Sequence, residues 1–347
     1  MNKIEISVGN LKLGPGNPVR VQTMLNTDPE DYRSSLRQLR SVENRGAEIV
    51  RISVPTMQSV KIFEKLKSKA RVPLVADIHF DHKMAISAIK AGADKVRINP
   101  GNIGDARKVA EVVKTASEFL IPIRIGVNSG SLPRDILKKH GHPNPEAMLD
   151  TMKRFVRQLE DLGFKAIILS AKTSSMDGTV TINRLLADSF PYPLHIGVTE
   201  AGPLIPGLLK STLALSSLLR DCIGDTIRIS LTSPPVDEVD AAIYLLKFLG
   251  LRKEGIEIIS CPTCGRTKVD LISLVNKIYQ RLPLSSGNLK LALMGCPVNG
   301  PGEAAEADIG LAFGPLEAVY FEKGVAIEKI RNREAIEYIL GKISEFR

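Results

Sequence analysis

The chain has no tryptophan, and aromatic residues make up only 5% of its 347 positions. Proteins that grip single-stranded nucleic acid need aromatic platforms on which bases stack, so that class is disfavoured. Cysteine is equally scarce, at four residues, too few for the disulfide framework of a secreted scaffold. Histidine occurs five times, and never after His195. No run approaches the ~18 apolar residues of a membrane span. Residues 1–10 lack the basic, apolar and small-residue succession of a secretory signal. A cytoplasmic protein without a membrane segment is expected.

What is present is a basic excess, 47 Lys and Arg against 38 Asp and Glu, for a net charge of +9. The basic residues are mixed with acids along helical patterns rather than gathered in tails. A pocket for a multiply charged small anion fits this distribution better than a nucleic-acid surface.

Between residues 19 and 232, short β-branched runs alternate with longer amphipathic stretches eight times. The strand candidates are residues 19–24, 48–54, 73–80, 95–100, 122–128, 166–172, 193–199 and 226–232. Helical patterns between them include 31–45, 57–70, 105–120, 146–162 and 207–222, the last containing Cys222. This alternation predicts an α/β fold, a (β/α)8 TIM-type barrel closed by a helix over about 235–251; a doubly wound open sheet is the alternative. Beyond residue 251 the pattern changes to a small α+β domain with strands near 256–260, 290–294 and 308–313. The expected domains are 1–252 and 253–347.

Five of the eight strand candidates place an arginine between two β-branched residues: Arg20, Arg51, Arg97, Arg124 and Arg228. Side chains alternate faces along a strand, so if the flanking Val and Ile pack against helices, each arginine points into the barrel. Buried arginines are costly unless they meet anions. Some should pair with inward acids such as Asp77 and Glu200, and the surplus implies a ligand with several negative charges, since Arg grips phosphate oxygens in bidentate fashion. Active sites of this fold lie at the C-terminal mouth, where Asp77, His79, Asn99, Asn128, Lys172 and residues 195–200 would converge.

In the small domain, Cys261 and Cys264 stand at C-x2-C spacing, and Cys296 follows after 31 intervening residues in a glycine-rich turn. Three thiols without a nearby histidine leave a carboxylate, Glu303, as the local group most able to complete a tetrahedron. Three thiolates and an exchangeable oxygen suit a 4Fe-4S cluster with one open iron. Zinc with a distant fourth ligand, or a thiol redox pair, are the alternatives.

The motifs GNPVRVQTMLNTD, VRISVP, ADIHF, KVRINPGNIG, IRIGVNSGSL, GVTEAGP, IRISLT, SCPTCGR and GCPVNGPGEA, in this order, closely resemble the 4-hydroxy-3-methylbut-2-enyl diphosphate synthase family, iron-sulfur enzymes of the non-mevalonate isoprenoid pathway. The resemblance spans nearly the whole chain and is most specific at the cysteine motifs. It implies reductive ring opening of 2-C-methyl-D-erythritol 2,4-cyclodiphosphate to 4-hydroxy-3-methylbut-2-enyl diphosphate, with two electrons from reduced ferredoxin or flavodoxin. It implies a cluster on Cys261, Cys264 and Cys296, with Glu303 as ligand to the fourth iron and as acid. It assigns substrate binding to Arg51, Arg97, Arg124, Asn128, Lys172, Arg228, Ser230 and Asn299. Asp77, His79, His195 and Glu200 would line the same cavity, Glu200 with a catalytic part. Pro297 stands where the family often has an apolar residue, and the insert domain of plant-type members is absent.

A closing helix about 25 Å long at 1.5 Å per residue would return the chain to the barrel floor. A link over 250–255 reaches only about 20 Å. A head-to-tail homodimer, each cluster domain capping the partner's barrel, is therefore expected. The competing classes are a non-redox barrel synthase or aldolase acting on a phosphorylated substrate with a structural zinc module, and a nucleic-acid-binding zinc protein.

Overall fold

The computed structural model describes residues 3–253, 255–282, 288–296 and 306–345. The chain divides into two compact units, Met1–Leu251 and Arg252–Arg347.

The first unit opens with a hairpin that the sequence did not announce, β1 (Ile6–Val8) against β2 (Leu11–Leu13). Three residues per strand are too few for a readable alternation. Eight strands follow: β3 (Arg20–Met24), β4 (Ile49–Ser53), β5 (Leu74–Asp77), β6 (Lys95–Ile98), β7 (Ile123–Asn128), β8 (Ile167–Lys172), β9 (His195–Ile196) and β10 (Thr226–Ile227). All are parallel, in the order β8-β7-β6-β5-β4-β3-β10-β9. A parallel bridge from Leu169 to Leu194 links β8 back to the approach of β9. The ring is thus all but closed, which makes the sheet a (β/α)8 barrel and excludes the open doubly wound alternative.

The intervening helices begin where the sequence supplies caps. Asp31, Asp81, Asp105, Asn144 and Ser175 each accept a backbone N–H of the first turn, and Thr56 with Ser59 forms a reciprocal capping box. The cap at Asp81 explains why β5 stops at Asp77 although the apolar run continues: His79 and Phe80 are exposed in the turn entering the helix His82–Lys90. β9 and β10 are shorter than their β-branched runs suggested, although pairing continues irregularly, with Arg228 N donating to Ile196 O at 3.1 Å.

Cys222 does not lie within a helix. The helix Leu204–Arg220 ends before it, and Cys222 is exposed with φ 58°. Its amide reaches back to Leu219 O and that of Ile223 to Leu218 O, a left-handed helix-ending turn that overrides the apolar periodicity.

The second unit is a five-stranded sheet, β11 (Gly255–Ser260), β12 (Asn288–Met294), β13 (Ile309–Phe313), β14 (Glu317–Glu322) and β15 (Val325–Arg331), in that order. The first three are parallel and the last two antiparallel. The helices Leu271–Arg281 and Ala335–Glu345 accompany it. Ala292, Met294, Ala307, Ala312 and Phe321 form a buried cluster, against which Cys261 packs. No helix among the described residues is long and apolar enough to cross a membrane.

Candidate active site

Register fixes which barrel side chains share a face. Met24 is level with Arg51, Ser53 with Asp77, Asp77 with Arg97, Arg97 with Arg124, and Asn128 with Lys172. Neighbouring parallel strands present register partners to the same side, so these residues form one inward belt. The Val and Ile residues that flank Arg51, Arg97 and Arg124 are almost fully buried, as expected of side chains packed against the helices.

The contacts agree with that placement. Arg97 Nη1 lies 3.3 Å from Asp77 Oδ1, and Arg51 Nε 3.8 Å from Asp77 Oδ2. Arg51 also points its Nε and Nη2 at the Met24 sulfur, at 3.0 and 2.7 Å. Lys95, two residues before Arg97 on the same face, donates across the barrel to Gln22 Oε1 at 3.2 Å. His195 Nδ1 is 2.8 Å from Thr226 Oγ1. Arg20 differs from the rest, because Glu48 takes it at 2.8 Å.

Arg228 is held by an acid the sequence reading passed over. Glu238, in the first turn of the helix Pro235–Phe248, accepts from Arg228 Nε and Nη2 at 3.2 and 3.1 Å. Glu200, expected to be an inward partner, is exposed on a left-handed backbone with φ 51°. The conformation that turns the chain after β9 carries its side chain to solvent. Asn128 and Ser230 are half-buried, and His79 is exposed with Nε2 3.8 Å from Asp77 Oδ2.

Among the described residues, six buried or half-buried cations, Arg51, Lys95, Arg97, Arg124, Lys172 and Arg228, therefore face two carboxylates, Asp77 and Glu238. Arg124 is 1% exposed and Lys172 8%. Arg97 Nε, Arg124 Nε and Nη1 find no acceptor, and His195 Nε2 no hydrogen-bond partner, among the described residues. Burial, and after it the neighbouring arginines, push Arg124, Lys172 and Lys95 well below their ordinary values. Arg51 is lowered to about 10, chiefly by burial. Burial would raise the Asp77 carboxyl, but Arg51, Arg97, Arg124 and His79 together hold it below the usual range. Desolvated donors without acceptors are expensive, and an anion that supplies oxygens to all of them relieves the whole set. A cavity of about 340 Å³ opens beside the ends of β7 and β8, lined by Ser129, Asn144, Thr173 and Ser175 among others.

Gly126 makes room for this arrangement. A Cβ there would stand 2.7 Å from Arg97 Nε. Since the obstructing atom belongs to a flexible side chain, Gly126→Ala is expected to change the melting temperature little while displacing Arg97. Affinity for inorganic pyrophosphate, measured by titration calorimetry, should fall by about 10-fold, the worth of one charge-assisted hydrogen bond.

In the second unit, β11 and β12 run parallel with Ser260 level with Leu293, so the loops carrying Cys261 and Cys296 leave the same edge of the sheet. Gly295 N donates to Cys261 Sγ at 3.3 Å. Gly295 is also close-packed, since a Cβ would meet Thr267 at 2.8 Å. Hydrogen bonds from the Arg266 backbone and side chain lower the Cys264 thiol below its ordinary value. Cys261 is half-buried, Cys264 exposed and Cys296 buried. Among the described residues no three Cys, His, Asp or Glu side chains are grouped closely enough to hold a metal ion. The loops nonetheless bring thiols to one edge and favour the thiolate at Cys264, a donor set that suits soft iron-sulfur ligation. Asn299 and Glu303 lie outside the described residues.

Known proteins share both units. Among solved structures, 3-dehydroquinate dehydratase from Geobacillus kaustophilus is similar with TM-score 0.51 and 15% identity, over 72% of this chain and 99% of that one, a likeness of barrel fold alone. A relative from Caldanaerobacter subterraneus subsp. tengcongensis, named 4-hydroxy-3-methylbut-2-en-1-yl diphosphate synthase (flavodoxin), is 47% identical over 98% of this chain and 96% of its own. One from Caldicellulosiruptor saccharolyticus with the same name is 47% identical over 98% and 97%. Residues 3–243 match the family model described as the GcpE TIM-barrel domain, and residues 257–345 the one described as the GcpE protein C-terminal domain. With both models matched in order and relatives this similar over nearly the whole length, the chain belongs to the GcpE family.

Proposed function

We propose that this chain is an oxidoreductase that opens the ring of 2-C-methyl-D-erythritol 2,4-cyclodiphosphate reductively to 4-hydroxy-3-methylbut-2-enyl diphosphate. Its relatives carry the name of that synthase. The observation that carries the reading is the barrel's surplus of buried cations with unsatisfied N–H groups, the complement of a cyclic diphosphate. Because the basic charge is drawn inward, it also favours a small anion over nucleic acid.

Arg51, Arg97, Arg124, Lys172 and Arg228 neutralise the two phosphates, with Asn128 and Ser230 as polar contacts at the strand ends. Preorganised positive charge lowers the cost of releasing the phosphate oxygen from carbon 2. Asp77 holds the Arg51 and Arg97 side chains in place, and His195 is buried among the same inward residues. Cys261, Cys264 and Cys296 would hold a 4Fe-4S cluster, with Glu303 as the exchangeable fourth ligand. Such a cluster supplies electrons one at a time. Two electrons per turnover come from flavodoxin, the donor in the relatives' names. Glu303 has a second part as the acid that helps the carbon 3 hydroxyl leave as water, and Asn299 in the same sequence motif contacts substrate. Glu200 acts from the mouth. A head-to-tail homodimer, in which the cluster unit of one chain serves the barrel of the other, is part of the same proposal.

Anaerobically purified protein is expected to be brown, with about four irons per chain, and to turn over the cyclodiphosphate with dithionite and a mediator dye. A colourless zinc protein inert to that substrate would instead support a non-redox barrel synthase with a structural zinc module.

A further inference from the structure

We infer that Glu238 is the positioning residue of the phosphate grip: it locks the Arg228 guanidinium and the strand-end backbone beside Ser230 into the geometry that receives an anion. The inference rests on the reading of Arg228 and Ser230 as anion-binding groups and adds the residue through which they are held.

Glu238 is 3% exposed, and each of its oxygens accepts two hydrogen bonds. Oε1 takes Arg228 Nη2 and the Leu231 amide, both at 3.1 Å. Oε2 takes Arg228 Nε at 3.2 Å and Thr23 Oγ1 at 2.9 Å. One carboxylate therefore ties the first turn of the helix Pro235–Phe248 to Arg228 just past β10, to the chain beyond Ser230, and to β3. The fork on Nε and Nη2 fixes the guanidinium plane. Among the described residues it leaves Nη1 with only the Met24 sulfur, at 3.8 Å, a weak acceptor that a phosphate oxygen outcompetes. The Met24 sulfur also faces Arg51, so Arg228 and Arg51 flank one soft atom on the side away from Glu238. Held in this way, Arg228 offers its free edge where Arg51 already points.

A residue that merely braces the helix would affect stability and leave anion binding alone. The two roles separate in a double-mutant cycle read by calorimetric titration of inorganic pyrophosphate into the full-length, anaerobically purified protein. Glu238→Gln should weaken binding by about 10-fold, because its amide N–H group confronts the guanidinium and one charge-assisted contact is lost. Arg228→Gln should cost about as much. In the Arg228→Gln background, Glu238→Gln should cost less than about 2-fold, since no guanidinium remains to be held; with Arg228 present, Glu238→Asp, which keeps the charge, should retain most of the affinity. Wild-type-like binding by Glu238→Gln, or additive losses in the double variant, would overturn the inference while leaving the anion-binding reading intact. Failure of the unsubstituted protein to bind pyrophosphate would overturn that reading and the inference together. Should Glu238→Gln not fold, the cycle is run with Glu238→Asp, whose smaller loss must likewise vanish in the Arg228→Gln background.

Discussion

Replacing Cys296 by serine is expected to yield a folded, colourless protein without bound iron, with turnover of the cyclodiphosphate reduced below detection. Serine keeps the volume of cysteine but offers a hard, weakly acidic oxygen in place of the thiolate that iron-sulfur ligation demands. The sheet should survive, because its core is carried by Ala292, Met294, Ala307, Ala312 and Phe321. Cys296 lies on the loop after β12, beside the loop that carries Cys261. Iron and labile sulfide per chain test the outcome, and far-UV circular dichroism tests the fold. Cys222→Ser serves as the control: that thiol is exposed beyond a helix end in the barrel unit and its replacement should leave iron content unchanged. A Cys296→Ser protein that retained iron and turned over normally would refute the assignment of this thiol.

Much of this architecture was legible because barrel strands obey a strict local rule. An arginine between two β-branched residues can satisfy a buried sheet only by pointing inward, so Arg51, Arg97, Arg124 and Arg228 announced a charged interior before any contact was known. The same rule finds Lys95, which shares a face with Arg97 two positions on, although the sequence reading took it only as a strand start. Glu238 was not legible. It sits in a run of first-turn helical acids, the usual place for solvated helix-dipole partners, and only tertiary packing brings it to Arg228 and Thr23. Glu200 failed in the opposite direction: it was expected among the inward acids, but the strand ends at Ile196 and Glu200 is exposed on a left-handed backbone. Cys222 misled through apolar periodicity that runs past the true end of its helix. Asn299 and Glu303 belong to a motif read in the sequence and lie outside the described residues, so their parts are those the family resemblance implies.

Arg124→Met is expected to make the empty protein more stable and nearly abolish its hold on the substrate. Arg124 is among the largest fully buried side chains, has Nε and Nη1 without acceptors, and is pushed down by burial and by Arg51 and Arg97. A buried charge in that condition is a burden on the folded state, and exchanging buried ionic groups for apolar residues of similar volume is often stabilising by about 1–4 kcal/mol. In a unit of this size each kcal/mol corresponds to about 2–4 °C in melting temperature. With a diphosphate bound, the sign reverses, because the same guanidinium then meets an oxygen in a desolvated setting. Truncating one member of such a pair costs about 2–5 kcal/mol, or roughly 30- to 5,000-fold in affinity. Thermal unfolding with and without pyrophosphate reads both effects on one sample. The unsubstituted protein should gain stability from the ligand in proportion to its occupancy, whereas Arg124→Met should start higher and gain almost nothing. A variant that melts lower than the parent and still responds fully to pyrophosphate would show that Arg124 braces the barrel and that the anion is gripped elsewhere.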